Sequence, residues 1–276
     1  MTSTWLERAA EMAVQFQRLD AFPELPGATE LDEAAEAALM GVPAALLVEL
    51  RQAMRTGVTE AAGGLVDRDD VRQALAAIPP RFSFACIGDS LTADHQSWAG
   101  ILAAALETVR PDVGLVRVAR SGHTSLDAVR RLAGFLDLRP DLFVVLIGTN
   151  DAIRYDLSPG QPLVSDDETR TNLARLADLA SSRGARLVWI SPPPVLPQTV
   201  ASFQVFRELG LAWSLGDVAA KAALVRERPE PVIDLWEAFE GADLAELLVD
   251  DGLHLSLAGQ AAVAAEVALH AFEPRP

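Results

Sequence analysis

The feature that most constrains the fold is a change of period after Pro79-Pro80. Beyond it stand five short runs of apolar and β-branched residues: FSFACIG (82–88), VGLVRVA (113–119), LFVVLIG (142–148), ARLVWIS (185–191) and PVIDLW (231–236). Helical patterns lie between them, at about 97–108, 124–136, 167–183 and 203–227, with a last one at 256–272. Strands alternating with helices predict an α/β protein with a five-stranded parallel sheet covered on both faces. The strands are apolar almost throughout, as burial on both sides requires. In such folds the ligand sits beyond the carboxyl ends of the strands.

Residues 1–80 read differently. Thr4-Trp5-Leu6-Glu7 has capping-box spacing. Trp5, Ala9, Met12, Ala13, Phe16 and Leu19 then recur at helical intervals, until Pro23 and Pro26 break the pattern. Three further helices are expected at 30–40, 43–54 and 67–78. The chain thus divides into an all-helical N-terminal region, 1–80, and a sheet domain, 81–276. No polar constellation in the helical region suggests chemistry. Its simplest role is packing on the sandwich; a homodimer interface and a lid over the cleft are the alternatives.

Composition narrows the partners. The formal net charge is −16, and such a surface repels phosphate backbones and anionic lipid, so no nucleic-acid partner is expected. No run reaches 18 uninterrupted apolar residues, so no membrane span is expected. The acids scattered through the first residues do not resemble a signal peptide, which points to a cytoplasmic protein. Cys86 is the single cysteine, inside the first apolar run, and reads as a buried small hydrophobe. Neither a disulfide within the chain nor a zinc cluster is available. The acids do not gather with histidines at ligand spacing, so no metal is expected.

The chemistry-bearing residues fall at the strand ends. Strand one leads to Gly88-Asp89-Ser90-Leu91, strand two to Ser121-Gly122-His123-Thr124, and strand three to Gly148-Thr149-Asn150-Asp151. After strand five comes Asp250-Asp251-Gly252-Leu253-His254. A serine hydroxyl is a weak nucleophile unless a base takes its proton, and His254 can be that base. Asp251, three residues earlier, can fold back onto Nδ1 and fix the tautomer. The amides of Ser90 and Gly122 and the side-chain amide of Asn150 can supply donors to a tetrahedral oxyanion. Gly122 lets the backbone approach a substrate with no Cβ in the way.

Four blocks in this order, GDSLT (88–92), SGHTS (121–125), GTND (148–151) and DGLH (251–254), resemble those of the SGNH hydrolases, also called GDSL esterases/lipases. The resemblance covers about residues 82–272. Asn172-Leu173 and the SPPP run at 191–194 are smaller echoes of it. It implies a three-layer α/β/α sandwich, Ser90 as nucleophile, Gly122 and Asn150 completing an oxyanion hole, and Asp251 and His254 as the rest of the triad. It implies hydrolysis of a small-molecule carboxylic ester through an acyl-enzyme; acyl transfer by a serine needs no cofactor. The same site suits an acyltransferase, a thioesterase or a carbohydrate O-acetylesterase, and a non-catalytic binding or scaffold protein is the rival class. His123 departs from the acidic or small residue common after the glycine, and the N-terminal helices inherit nothing from the family.

Each block has a blander reading. Gly-Asp-Ser alone is ordinary turn chemistry, and Asn-Asp alone a helix cap. Asp89 is expected to brace the turn, and Asp250 to be a solvated neighbour of the triad acid. His95 and His270 default to the surface, with His95 a candidate for the pocket rim; Trp98 and Trp189 read as core. The loops 152–166 and 192–202 are expected to wall the cleft.

Overall fold

The computed structural model describes residues 5–19, 31–135, 137–156 and 160–272. Among the described residues, four helices precede the first strand: α1 (Trp5–Phe16), α2 (Glu33–Met40), α3 (Ala44–Asp67) and α4 (Asp69–Ala76). Then follow β1 (Ser83–Gly88), α5 (Ser90–Ala93), α6 (Trp98–Val109), β2 (Gly114–Ala119), α7 (Ser125–Gly134) and β3 (Leu142–Leu146). A 3₁₀ turn at Asn150–Ala152 leads to β4 (Arg154–Tyr155), α8 (Asp166–Ser182), β5 (Arg186–Ile190), α9 (Pro197–Ser202) and α10 (Gln204–Glu208). The chain closes with β6 (Leu211–Ala212), α11 (Leu215–Arg226), β7 (Val232–Ile233), α12 (Leu235–Ala238), α13 (Leu244–Leu247) and α14 (Leu257–His270). No described helix is long and apolar enough to cross a membrane.

The five apolar runs form one parallel sheet in the order β2-β1-β3-β5-β7. The order reverses around β1 and β3, so the β1 and β3 carboxyl ends open onto one crevice. On one face, Cys86, Val144 and Ile190 pack with α6 and α14. On the other, Ile87, Val145 and Trp189 pack with α7, α8 and α11. Both Trp98 and Trp189 are fully buried. Burial pushes the Cys86 thiol far above its usual range and keeps it inert.

Ala62 and Leu65 of α3 and Val71 and Leu75 of α4 belong to the same buried cluster as α6 and α14. These two helices therefore complete one layer of the sandwich. The sequence pattern predicts a helix over 43–54. In the structure α3 runs to Asp67. At Gly57 a Cβ would lie 2.9 Å from Gln96 Nε2, so the glycine allows a close approach that tertiary packing then rewards. The single helix expected at 203–227 is instead α10, β6 and α11, because Leu211 and Ala212 pair with β4. The capping-box residue Thr4 and the breaks at Pro23 and Pro26 lie outside the described residues.

Leu75 has no exposed surface. Leu75→Ala should lower the unfolding free energy by about 2–5 kcal/mol, as large-to-small core changes do. Urea unfolding measures it; a loss under about 0.5 kcal/mol, typical of a surface site, would detach α4 from the shared core.

Candidate active site

Ser90 stands where β1 becomes α5. Asp89 is the N-cap of that short helix, and its side chain accepts the Leu91 amide at 3.0 Å. Gly88 has no room for a side chain: a Cβ would abut Thr92 Oγ1 and lie 2.6 Å from the Leu146 carbonyl. Thr92 cannot easily yield, since its Oγ1 accepts the Trp98 indole N–H at 3.2 Å. The strand end is thereby pressed onto β3, and Ser90 emerges at the sheet edge, 6% exposed.

The fourth block folds into a tight loop before α14. Asp251 Oδ1 accepts the amides of Leu253 at 2.8 Å and His254 at 2.9 Å. Its other oxygen, Oδ2, lies 2.6 Å from His254 Nδ1. An ionised carboxylate only accepts, so Nδ1 carries the proton and Nε2 presents its lone pair. That Nε2 lies 2.9 Å from Ser90 Oγ. Burial works against a charge on His254, but the attraction and hydrogen bond of Asp251 outweigh it and raise the imidazole above its ordinary value. Burial likewise opposes ionisation of Asp251, and the same pairing wins, holding the carboxyl below its usual value.

Buried hydrogen bonds join the second and third blocks. The Asp151 carboxylate accepts the Ser125 amide and the Thr169 hydroxyl, each at 2.7 Å. Asn172 donates to the Ser125 hydroxyl at 3.0 Å. Asn150 Nδ2 donates to the His123 carbonyl at 3.0 Å. Gly122 has φ +80° and open space where a Cβ would point. Its glycine thus answers a left-handed backbone as well as room beside a cavity. The structural part played by Asp151 was not separable in the sequence from an ordinary helix cap.

Ser90, Gly122, Asn150 and His254 open onto one cavity of about 340 Å³. Its remaining wall is largely apolar, with Ile153 and Leu163, then Val205, Phe206 and Trp213. The loop 152–166 thus walls the cleft through Ile153, Tyr155 and Leu163, as expected. The loop 192–202 does not. Val195 and Val200 are buried beneath the site, and the Leu196 amide donates to Gly252 at 2.9 Å, so this segment holds the DGLH loop from behind.

Another side of the cavity comes from α1, through Ala9, Met12, Ala13 and Phe16, which the sequence did not single out for the site. His95 stays off the cavity and ties to the end of α1, with Nε2 3.4 Å from the Gln17 carbonyl. Burial and nearby arginines push it down to about 3, so it is neutral at physiological pH. His123 lines an adjoining polar cavity of about 410 Å³ beside α7. Asp250 is exposed and pairs with Arg8 at 2.5 Å, while His270 is exposed and 3.5 Å from Glu266.

Two buried carboxyls flank Ser90. Burial pushes Asp94 up to about 6 and Asp89 up to about 7. The Oδ2 atom of Asp89 finds no hydrogen-bond partner. The ordinary aspartate value is 3.8, so between there and about 7 the folded chain binds more protons at Asp89 than the unfolded chain does. Stability from this group therefore falls as pH rises through that window. Asp89→Asn should be more stable than wild type at pH 8, with the gap closing toward pH 4. Chemical unfolding at several pH values checks this, and a gap independent of pH would refute it.

The family model described as GDSL-like Lipase/Acylhydrolase family matches residues 86–262, more than half of the chain. A search of curated proteins finds no match. Several solved structures share the fold. One is the lipase/acylhydrolase from Enterococcus faecalis, 20% identical, covering 71% of this chain and 99% of that one at TM-score 0.54. Another is LAE5, an alpha/beta hydrolase enzyme from the metagenome of Lake Arreo, Spain, 21% identical, covering 68% and 96% at TM-score 0.54. The acetyl xylan esterase AlAXEase is 18% identical and covers 67% and 98%, again at TM-score 0.54. The fold that these share with the chain agrees with the family match, whose span runs from β1 into α14 and takes in all four sequence blocks. The chain belongs to the GDSL-like lipase/acylhydrolase family and is a hydrolase.

Proposed function

We propose that the protein is a serine esterase that cleaves carboxylic esters through an acyl-enzyme. The observation that carries this is the hydrogen-bonded line from Asp251 through His254 to Ser90, ending at a largely apolar cavity. His254 Nε2 takes the Ser90 proton as Oγ attacks the ester carbonyl. The negative charge passes to the carbonyl oxygen, where the amides of Ser90 and Gly122 and one hydrogen of the Asn150 side-chain amide receive it. The other hydrogen of that amide is already committed to the His123 carbonyl, which fixes its aim. The tetrahedral centre collapses, and the alcohol leaves with the proton from His254. Water, deprotonated by the same histidine, then releases the acid and restores Ser90. Asp251 stabilises the imidazolium in both halves.

The lining bears on the substrate. Met12, Leu163, Val205, Phe206 and Leu211 offer few partners to sugar hydroxyls, so the cavity favours an ester with a hydrocarbon part. Each methylene moved from water into it contributes about 0.8 kcal/mol, or about fourfold in kcat/KM.

Ser90→Ala should lose roughly a thousandfold or more of p-nitrophenyl ester turnover while keeping its fold. Equal turnover by both proteins would refute the assignment. The acid limb of kcat/KM should reflect His254, which must be neutral to accept the serine proton. Its raised value places the half-maximum above 6.5, the ordinary histidine value. A pH profile with its acid limb below that point would contradict the geometry.

A further inference from the structure

Helix α1 precedes the sheet by more than sixty residues, yet it is fastened to both halves of the proposed triad. At one end, Arg8 Nη2 lies 2.5 Å from Asp250 Oδ1, next to Asp251. At the other, the His95 amide donates to the Gln15 carbonyl at 3.1 Å, and Gln15 Nε2 donates to Asp94 Oδ2 at 3.1 Å. Asp94 and His95 follow α5 and so belong to the turn that carries Ser90. Arg51 of α3 adds a hydrogen bond to the Val14 carbonyl at 3.2 Å.

The face that α1 turns inward carries residues 9, 12, 13 and 16, the spacing of one helical stripe. Phe16 is 4% exposed and stacks on the His254 imidazole, with centroids 4.1 Å apart and planes at 22°. Met12 packs against the cluster that holds Ile153, Phe206, Trp213 and Leu253. Both side chains line the cavity that holds Ser90.

The two hydrogen bonds of His254 use its opposite ring nitrogens. With the Cβ–Cγ bond they fix the position of the ring, and what packs against its faces limits its remaining rotation about the side-chain torsions. A flat aromatic ring against its face blocks that rotation, excludes water from that side, and attracts the imidazolium formed in the reaction. A branched aliphatic side chain fills similar volume without offering a flat face.

We propose that α1 is a working wall of the active site: Phe16 is a positioning residue that holds the His254 ring, and Met12 determines how long an apolar acyl group the cavity takes. This rests on the esterase reading of Ser90 and His254.

Phe16→Leu, Phe16→Tyr, Met12→Ala and Met12→Trp test it in the full chain. Two readouts apply: hydrolysis of p-nitrophenyl butyrate and decanoate, and the rate at which fluorophosphonates of short and long alkyl chain label Ser90. Phe16→Leu should lower kcat and the labelling rate roughly tenfold, as modest misplacement of a reacting group does, and Phe16→Tyr should stay near wild type. Met12→Ala should raise, and Met12→Trp lower, the decanoate-to-butyrate ratio of kcat/KM by roughly threefold or more, with the long-to-short labelling ratio moving alike. A Leu variant equal to wild type, or Leu and Tyr variants equally impaired, would overturn the positioning role. An unchanged chain-length ratio in both Met12 variants would overturn the specificity role. Wild type that no fluorophosphonate labels, with Ser90→Ala hydrolysing as well as wild type, would instead remove the esterase reading itself. Labelling still decides the α1 proposal if ester turnover is slow.

Discussion

The contact on which the site rests is the one at Gly88, where the end of β1 meets the Leu146 carbonyl of β3 and the Thr92 side chain with no space for a Cβ. This contact brings two parallel strands close at their carboxyl ends and turns the chain sharply into α5. Ser90 follows two residues later and has little choice of direction. Thr92 is held in turn by Trp98, which is fully buried, so the position of the turn is transmitted into the core of the α6 layer. Packed interiors deform little, and a serine held this way does not need its hydrogen bonds alone to define its place.

The loops that carry the second, third and fourth sequence blocks are held around Ser90 by buried polar groups. Asp151 joins Ser125 to Thr169 and so locks the loops after β2 and β3 together. Asp251 spends one oxygen on two backbone amides of its own loop and the other on His254. Such networks are directional, and their geometry is fixed because an unmatched donor or acceptor in a dry interior is costly. Asp89 carries such a mismatch: one oxygen caps α5 and the other is unpartnered. Burial of this carboxyl raises its pKa, and no hydrogen bond to the second oxygen offsets that.

Much of this was legible in the chain. The five apolar runs mark the five sheet strands, because strands buried on both faces must be apolar almost throughout. The four blocks at strand ends mark the cluster, because carboxyl ends on one side of a parallel sheet converge. The misses share a cause. The continuation of α3 through Gly57 and the β4–β6 ribbon both run against or below local propensity, and tertiary contact alone supports them. The segment 192–202, rich in proline, resembles an exposed loop, yet Val195 and Val200 are buried under the site.

The N-terminal helix draws the line between the two kinds of information. The sequence by itself determined that Ala9, Met12, Ala13 and Phe16 share a helical stripe, since that follows from the period of 3.6 residues. It also determined the α/β architecture and the identity and order of the clustered side chains. Only the tertiary structure decided that α1 lies across the crevice, with Phe16 against His254 and Met12 in the cavity wall. An amphipathic stripe specifies that a helix must bury one face and says nothing about what it is buried against. That choice is made by contacts distant in sequence, such as Arg8 with Asp250 and Gln15 with Asp94, which exist only once the sheet has brought their partners together.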